Sequence, residues 1–427
     1  MPVFPNAAVA SPHYLASSVG LSTLTAGGNA ADAAVAMNLV LAVVYPHMCG
    51  LGGDLIAMVW NKGELHGLNS SGKLPRNAGK HEKVPKRGIG SATVPGGVAG
   101  LLTLNERFGS MGIDELAKPA IRYAREGVAR AAGLANITEL MRPMLERESE
   151  ATRIFLSENP LVQEDLANVL DSLDTFYEDV GSVAPPPFDI EDFRSHEAEW
   201  VSPMTTDWRG LQVAEMPPTS RGYLALRALD RLEPLDVLTP DEPEWHQRLI
   251  RSFEDHDGHD GDTIYLCARD EKGMSVSLNQ SLSAAFGSGV VIPGTGVLLH
   301  NRAEYFTPEE YVGGATLQRH TLSPAMALQD GEPRLIFGSM GGPAQIQFHL
   351  QILARIFVAG QSVEDAIAAP RWRFGEGGLL AESGLPDIGA APMPFPGSAG
   401  HAHAILVTDD GLRAAHDPRS DGAALGY

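Results

Sequence analysis

The stretch from Thr263 to Leu278 constrains the fold most. Thr263-Ile264-Tyr265-Leu266-Cys267-Ala268 is a strand by composition, Asp270-Glu271-Lys272-Gly273 is a four-residue turn, and Met274 to Leu278 is a second strand. A turn that short joins antiparallel neighbours. The same pattern recurs at Leu55 to Trp60 and Glu64 to Leu68 around Lys62-Gly63. Further strands are expected at Arg334 to Phe337, at His403 to Val407 and near Leu412, with helical periodicity between them at Gln345 to Val358 and Val363 to Ala368. That mixture predicts an α+β fold with helices outside antiparallel sheets, and not a doubly wound parallel sheet.

The first third reads as helical after a short opening strand. Tyr14 to Ala26 is stopped by Gly27-Gly28. Asn29 then caps a helix that has Asp32 in its first turn and ends before Pro46. Its apolar run, Ala30 to Val44, carries Asp32 and Asn38 and is too short to span a bilayer, so it reads as a buried helix and gives no membrane partner. Helices are also expected at Gly97 to Phe108, at Ile113 to Glu126 and from Ala135 to Leu173, the last with breaks or kinks at Pro143 and Pro160. Pro185-Pro186-Pro187 marks a rigid surface connection.

Composition removes several function classes. Lys plus Arg total 32 against 53 for Asp plus Glu, a net charge of −21 that argues against nucleic acid as a partner. Cys49 and Cys267 cannot build a disulfide framework or a four-cysteine zinc site. The opening Met1-Pro2-Val3-Phe4-Pro5 has no signal-peptide pattern, so a cytoplasmic location is expected. No glycine cluster has the spacing of a nucleotide cradle.

Three groups of residues could carry chemistry. The acidic stretch Glu254 to Asp262, with His256 and His259, reads as a solvated loop, as a metal-binding loop, or as the flank of a cleavable bond. If Asp262-Thr263 were cut, Thr263 would combine a hydroxyl nucleophile with its own α-amine, which titrates near ~8 and can act as a base at neutral pH. Gly338-Ser339-Met340-Gly341-Gly342 lies between a strand and a helix, where backbone N–H groups can face an oxyanion or merely turn the chain. Gln280, Ser281, His300, Asn301, Arg302, Arg319, His320 and Thr321 supply polar groups nearby in sequence, and an arginine facing a pocket suits a carboxylate.

Taken together, these segments resemble the gamma-glutamyltranspeptidase family of N-terminal-nucleophile hydrolases. The resemblance runs through Ala26-Gly27-Gly28-Asn29-Ala30-Ala31-Asp32, Pro46 to Gly53, Thr93-Val94-Pro95-Gly96-Gly97, Pro217-Pro218-Thr219-Ser220, Gly261-Asp262-Thr263, Phe286 to Val290, Gly294 to Leu299, Gly338 to Gly342 and Asp417-Pro418-Arg419. It implies a four-layer αββα sandwich and self-cleavage between Asp262 and Thr263. Residues 1–262 would form a larger chain and residues 263–427 a smaller one, intertwined in one domain. It also implies Thr263 as nucleophile, Ser281 as the second hydroxyl, Gly341 and Gly342 as oxyanion donors, and no cofactor or metal.

The departures from the family pattern point away from glutathione. Ser71 stands where glutathione-processing members carry an arginine, and His320-Thr321 replaces paired serines. His300-Asn301-Arg302 and Tyr305 occupy the stretch that would hold an amine-binding acid. These changes are similar to the oxamate amidohydrolase-like subgroup. The expected substrate is a small amide or acyl compound with a carboxylate, met by Arg302 or His320 with Asn301 and Thr321 nearby. A biosynthetic C–C, ester or acylase-type hydrolase and an unprocessed non-catalytic homologue are the alternatives, and a homodimer stays open. The segment from Pro217 to Thr263 is shorter than is usual in the family.

Overall fold

The computed structural model describes residues 2–253, 262–375, 377–393 and 399–427. The expected hairpin lies at the centre of a seven-stranded sheet with the order Ala423–Gly426, Ala8–Ser11, Asp262–Arg269, Ser275–Ser283, Asp54–Asn61, Glu64–Ser70 and Glu199–Val201. A six-stranded sheet runs Gly411–Ala415, Ala402–Thr408, Glu332–Ser339, Ala325–Gln329, Leu211–Glu215 and Met204–Trp208. Every named pairing in both sheets is antiparallel.

Side-chain alternation turns these sheets into four layers. In the first sheet Ile264, Leu266, Val276, Leu278, Leu55 and Ala57 face the helices Tyr14–Thr25, Ala30–Val44, Gly97–Phe108 and Ile113–Glu126. The intervening Tyr265, Cys267, Ile56 and Met58 meet Met326, Ile336 and Ile405 of the second sheet. The outer face of the second sheet packs Phe337, Leu335 and Val213 against the helices Tyr223–Arg231, Pro243–Arg251, Gln345–Phe357 and Val363–Ala368. The architecture is the expected helix–sheet–sheet–helix sandwich.

The central helix shows how sequence chose structure. Asn29 accepts the N–H groups of Ala31 and Asp32, and Asp32 returns a carboxylate oxygen to the Asn29 N–H, closing a capping box. All fifteen residues of Ala30–Val44 are buried, and Asp32 is satisfied further by the N–H groups of Ser110 and Met111.

Several expectations need correction. The region from Ala135 to Leu173 divides into Ala132–Leu145, Ser149–Phe155 and Glu164–Leu170. Pro143 lies inside the first of these, close to where that helix stops, and Pro160 falls in a connection. The helices Tyr223–Arg231 and Pro243–Arg251 and the strand Ala325–Gln329 were not expected. The second hairpin strand continues past Leu278 to Ser283, which brings Asn279 and Ser281 into the sheet. The readings of the acidic loop fall on residues 254–261, outside the described residues. Among the described residues, no helix is long and apolar enough to cross a membrane.

Candidate active site

Alternation along Asp262–Arg269 puts Thr263 on the same face as Tyr265 and Cys267, between the two sheets. Thr263 is 1% exposed. The pairing with the next strand is irregular here: Asp262 is opposite Ser283 and Ile264 opposite Gln280, so Ser281 and Leu282 together face Thr263. A bulge of this kind re-aims side chains at the end of a strand. Asp54 pairs with Ser281 on the far side, so Thr263, Ser281 and Asp54 stand on three adjacent strands.

Asn279 fixes the second sheet against the first. Its Nδ2 donates to the carbonyl of Ile264 at 3.2 Å and to that of Ser339 at 3.0 Å. One carboxamide thus ties the residue after Thr263 to the strand that leads into Gly341-Gly342. Gly338 permits the close approach, since a Cβ there would lie 2.3 Å from the Tyr265 ring. Gly341 (φ 137°) and Gly342 (φ 56°) then turn the chain into Gln345–Phe357 in a left-handed conformation that disfavours side chains.

The basic residues picked out in the sequence converge on a carboxylate that was not. Asp54 is fully buried, its Oδ1 accepts the Gly72 N–H at 3.0 Å, and its Oδ2 faces His320 Nε2 at 3.0 Å, His300 Nδ1 at 3.4 Å and Arg302 Nε at 3.6 Å. Burial alone would push the Asp54 carboxyl up, but the facing His300 and His320 imidazoles reverse this and hold it well below the usual carboxylate range. His320 is lowered to about 4, by burial first and by Arg302 second. The Leu322 N–H donates to its Nδ1 at 3.3 Å, which leaves the ring proton on Nε2, directed at Asp54. Both nitrogens of His320 are therefore engaged within the protein. His300 meets Thr93 through Nε2, at 2.9 Å to Oγ1 and 3.0 Å to the carbonyl.

Arg302 reaches the neighbourhood of Thr263 through Ser281. Its Nη2 donates to Ser281 Oγ at 3.0 Å and its Nη1 to Thr321 Oγ1 at 3.1 Å. Asn301 faces elsewhere: its Oδ1 accepts the Ala284 N–H and its Nδ2 donates to the Lys86 carbonyl, so it shapes the turn after Ser283. Glu304, also absent from the sequence reading, accepts from Ser283 Oγ at 3.0 Å, and burial raises its carboxyl. Ser71 lies on the rim of a cleft of about 870 Å³ shared with Asn69, Lys73, His196, Thr219 and Thr316.

Two signals in the sequence bear on the residues it missed. Asp54 is the only charged residue in the strand Asp54–Asn61, directly after the quoted Gly50-Leu51-Gly52-Gly53. Ser275, Ser277, Asn279, Ser281 and Ser283 form a polar stripe of period two, which ordinarily marks a solvent face and here points between the sheets.

Two facing antiparallel sheets, with a buried threonine at the start of a central strand and a glycine turn tied to it, define the N-terminal-nucleophile type of sandwich. The gamma-glutamyltranspeptidase family model matches residues 16–254 and 238–427, and the chain belongs to that family. It is 31% identical to the glutathione hydrolase-like YwrD proenzyme of Bacillus subtilis, covering 98% of each chain. It is 29% identical to the oxamate amidohydrolase proenzyme of Klebsiella pneumoniae, covering 97% of each. Among solved structures, the cephalosporin acylase from Bacillus halodurans superposes with a TM-score of 0.91 at 26% identity, over 100% of this chain and 96% of the other. The chain is an enzyme of the hydrolase or transferase kind.

Proposed function

We propose that this enzyme is an autoprocessed N-terminal threonine amidohydrolase or acyltransferase acting on a small amide or acyl substrate that bears a carboxylate, and that glutathione is not that substrate. The observation that carries the reading is the Asn279 bridge, which sets the strand of Thr263 against the Gly341-Gly342 turn. Two relatives whose names include proenzyme support the processing step, and the oxamate amidohydrolase supports the substrate class.

In the precursor, Thr263 Oγ attacks the Asp262 carbonyl, the peptide bond shifts to an ester, and water releases residues 1–262 from residues 263–427. In the mature enzyme the freed α-amine of Thr263 takes the proton from Oγ as Oγ attacks the substrate carbonyl. The N–H groups of Gly341 and Gly342 hold the oxyanion, each worth about 3 kcal/mol of barrier. The amine then protonates the leaving nitrogen, and water or an acceptor amine takes the acyl group from Oγ. Arg302 meets the substrate carboxylate through its Nη edge, with Thr321 beside it and Ser281 orienting the nucleophile.

The likeness to a cephalosporin acylase favours a second reading on the same nucleophile, in which a larger side-chain acyl group is removed. Mass determination of the purified wild type beside Thr263→Ala tests the proposal. The wild type should yield chains of 262 and 165 residues (427 − 262 = 165), and the variant one intact, inactive chain. A wild type that stays uncut yet hydrolyses oxamate, with Thr263→Ala equally active, would overturn it. Screening oxamate against γ-glutamyl and glutaryl amides separates the two substrate readings.

A further inference from the structure

The nucleophile's neighbourhood contains a cation that a substrate carboxylate could use, and the structure shows what aims it. Arg302 is 1% exposed, and a guanidinium is poorly stable inside a protein without a counter-charge. Asp54 supplies that charge from the Nε side, at 3.6 Å, beyond hydrogen-bond length. The two Nη groups are thereby left to the opposite side, where among the described residues they donate to the neutral hydroxyls of Ser281 and Thr321. A hydroxyl is a weaker acceptor than a carboxylate, so an incoming carboxylate can displace these contacts and take both Nη groups in a bidentate pair.

Asp54 is itself held against rotation. The Gly72 N–H occupies Oδ1, and His320, His300 and Arg302 all face Oδ2. Gly72 admits this contact because its backbone runs against Val94, whose carbonyl oxygen would lie 1.6 Å from any Cβ. The carboxylate also stands at the correct register, on the strand next to Ser281, which in turn faces Thr263.

We infer that Asp54 is a positioning residue for substrate recognition: it holds Arg302 so that the Nη edge faces the acyl group bound at Thr263, and thereby sets selectivity for substrates with a carboxylate next to the scissile amide. The inference rests on the proposed amide hydrolysis and deepens it.

Oxamate and oxamide make a matched pair of probes, since they differ only in whether a carboxylate or a second amide flanks the reacting carbonyl. Asp54→Asn should raise KM for oxamate at least tenfold while kcat stays within threefold, and should change KM for oxamide less than threefold. Arg302→Gln should do the same, and adding Asp54→Asn to it should change the oxamate KM less than a further threefold, because the aspartate acts through the arginine. Equal losses on both probes, or effects that multiply in the double variant, overturn the inference.

A crystal structure of Asp54→Asn adds a test independent of turnover. The guanidinium should leave Ser281 Oγ, and one that stays in place overturns the inference whatever the substrate proves to be. If Asp54→Asn fails to fold, Asp54→Glu, which keeps the charge and extends it by one methylene, should displace the guanidinium and raise the oxamate KM in the same direction. Wild-type values in that variant also overturn it. Loss of all turnover in Thr263→Ala with Arg302→Gln unaffected would instead remove the carboxylate reading of the site.

Discussion

Asp417 and Asp54 are both fully buried carboxylates beside arginine, and they hold their partners differently. Asp417 Oδ2 accepts Arg371 Nη2 at 2.6 Å and the Ala402 N–H at 2.7 Å, while Oδ1 accepts the Arg419 N–H and Nη1, both at 2.9 Å. Arg419 also reaches Glu382 and the Ala369 carbonyl. Asp54 has one short contact to a base, two longer ones, and an arginine whose outer edge rests on neutral hydroxyls. The first cluster commits both carboxylate oxygens of Asp417 and the Nη groups of both arginines to the protein. In the second the cation's Nη edge rests on neutral hydroxyls, which is what the proposed recognition of a carboxylate requires. The first still serves the site, because it fixes Ala402 next to His401, whose carbonyl accepts the Met340 N–H just before Gly341.

Breaking the closed cluster should therefore cost the most stability. Asp417→Ala leaves Arg371 and Arg419 without their shared carboxylate, and removing one partner of a buried ion pair costs about 3–5 kcal/mol. Denaturant unfolding measures this, and a loss below about 1 kcal/mol would erase the distinction between the two clusters. The pH sense is fixed as well. Burial would raise the Asp417 carboxyl, but Arg371 and Arg419 outweigh it and hold the group below its usual range. Its stabilisation is thus present above the ordinary carboxylate pKa near ~3.9 and is lost as pH falls below that value.

A third region sharpens the comparison because its imidazoles, among the described residues, form no ion pair, and Asp417 acts on His401 and His403 only as a weaker influence than burial. His13, His47 and His401 gather around Tyr45, and His403 stacks near Tyr265. Among the described residues His401 has no hydrogen-bond partner on either ring nitrogen, and His47 Nδ1 and His403 Nε2 have none. Burial is the main cause that lowers His13 and His401 to about 4 and His47 to about 3. The unfolded chain takes up these protons near ~6.5, so between that pH and about 4 it binds more protons than the folded chain. Stability is intact above that window and falls on acidification through it. His401→Gln should flatten the fall by up to about 3 kcal/mol, since each unit of depression is worth about 1.4 kcal/mol. Thermal unfolding at pH 6.5 and pH 4.5 reads the difference, and an unchanged slope would mean that His401 is not held neutral by the fold.

The helices outside antiparallel sheets and the hairpin at Thr263 were legible because short turns and period-two patterns are local, whereas the four-layer order came from the family resemblance. The helix at Ala30–Val44 was legible for the same reason, through Asn29 and Asp32. The candidate site was legible only in part. Arg302, Ser281 and Thr321 do come together, but the Asp54 that faces Arg302 lies 248 residues away along the chain (302 − 54 = 248), and no local pattern reports such a contact. Asn279 was hidden because a polar stripe on a strand looks the same whether it faces water or a second sheet. His320 stood beside Arg302 as a candidate for the substrate carboxylate, and the backbone N–H of Leu322 was the partner that sequence could not supply.

The smallest effect belongs to the exposed ion pairs, and it serves as the control for the two buried carboxylates. Arg194 donates to Glu178 at 2.7 Å through Nε and to Glu191 at 2.8 Å through Nη1. By distance alone these contacts rival those of Asp417. All three side chains are about half exposed, however, so water screens the charges and competes for the same donors. Arg194→Ala should leave the denaturation midpoint and the oxamate KM indistinguishable from wild type. If it destabilised the chain as much as Asp417→Ala, burial would not be what makes the Asp417 ion pairs costly to break.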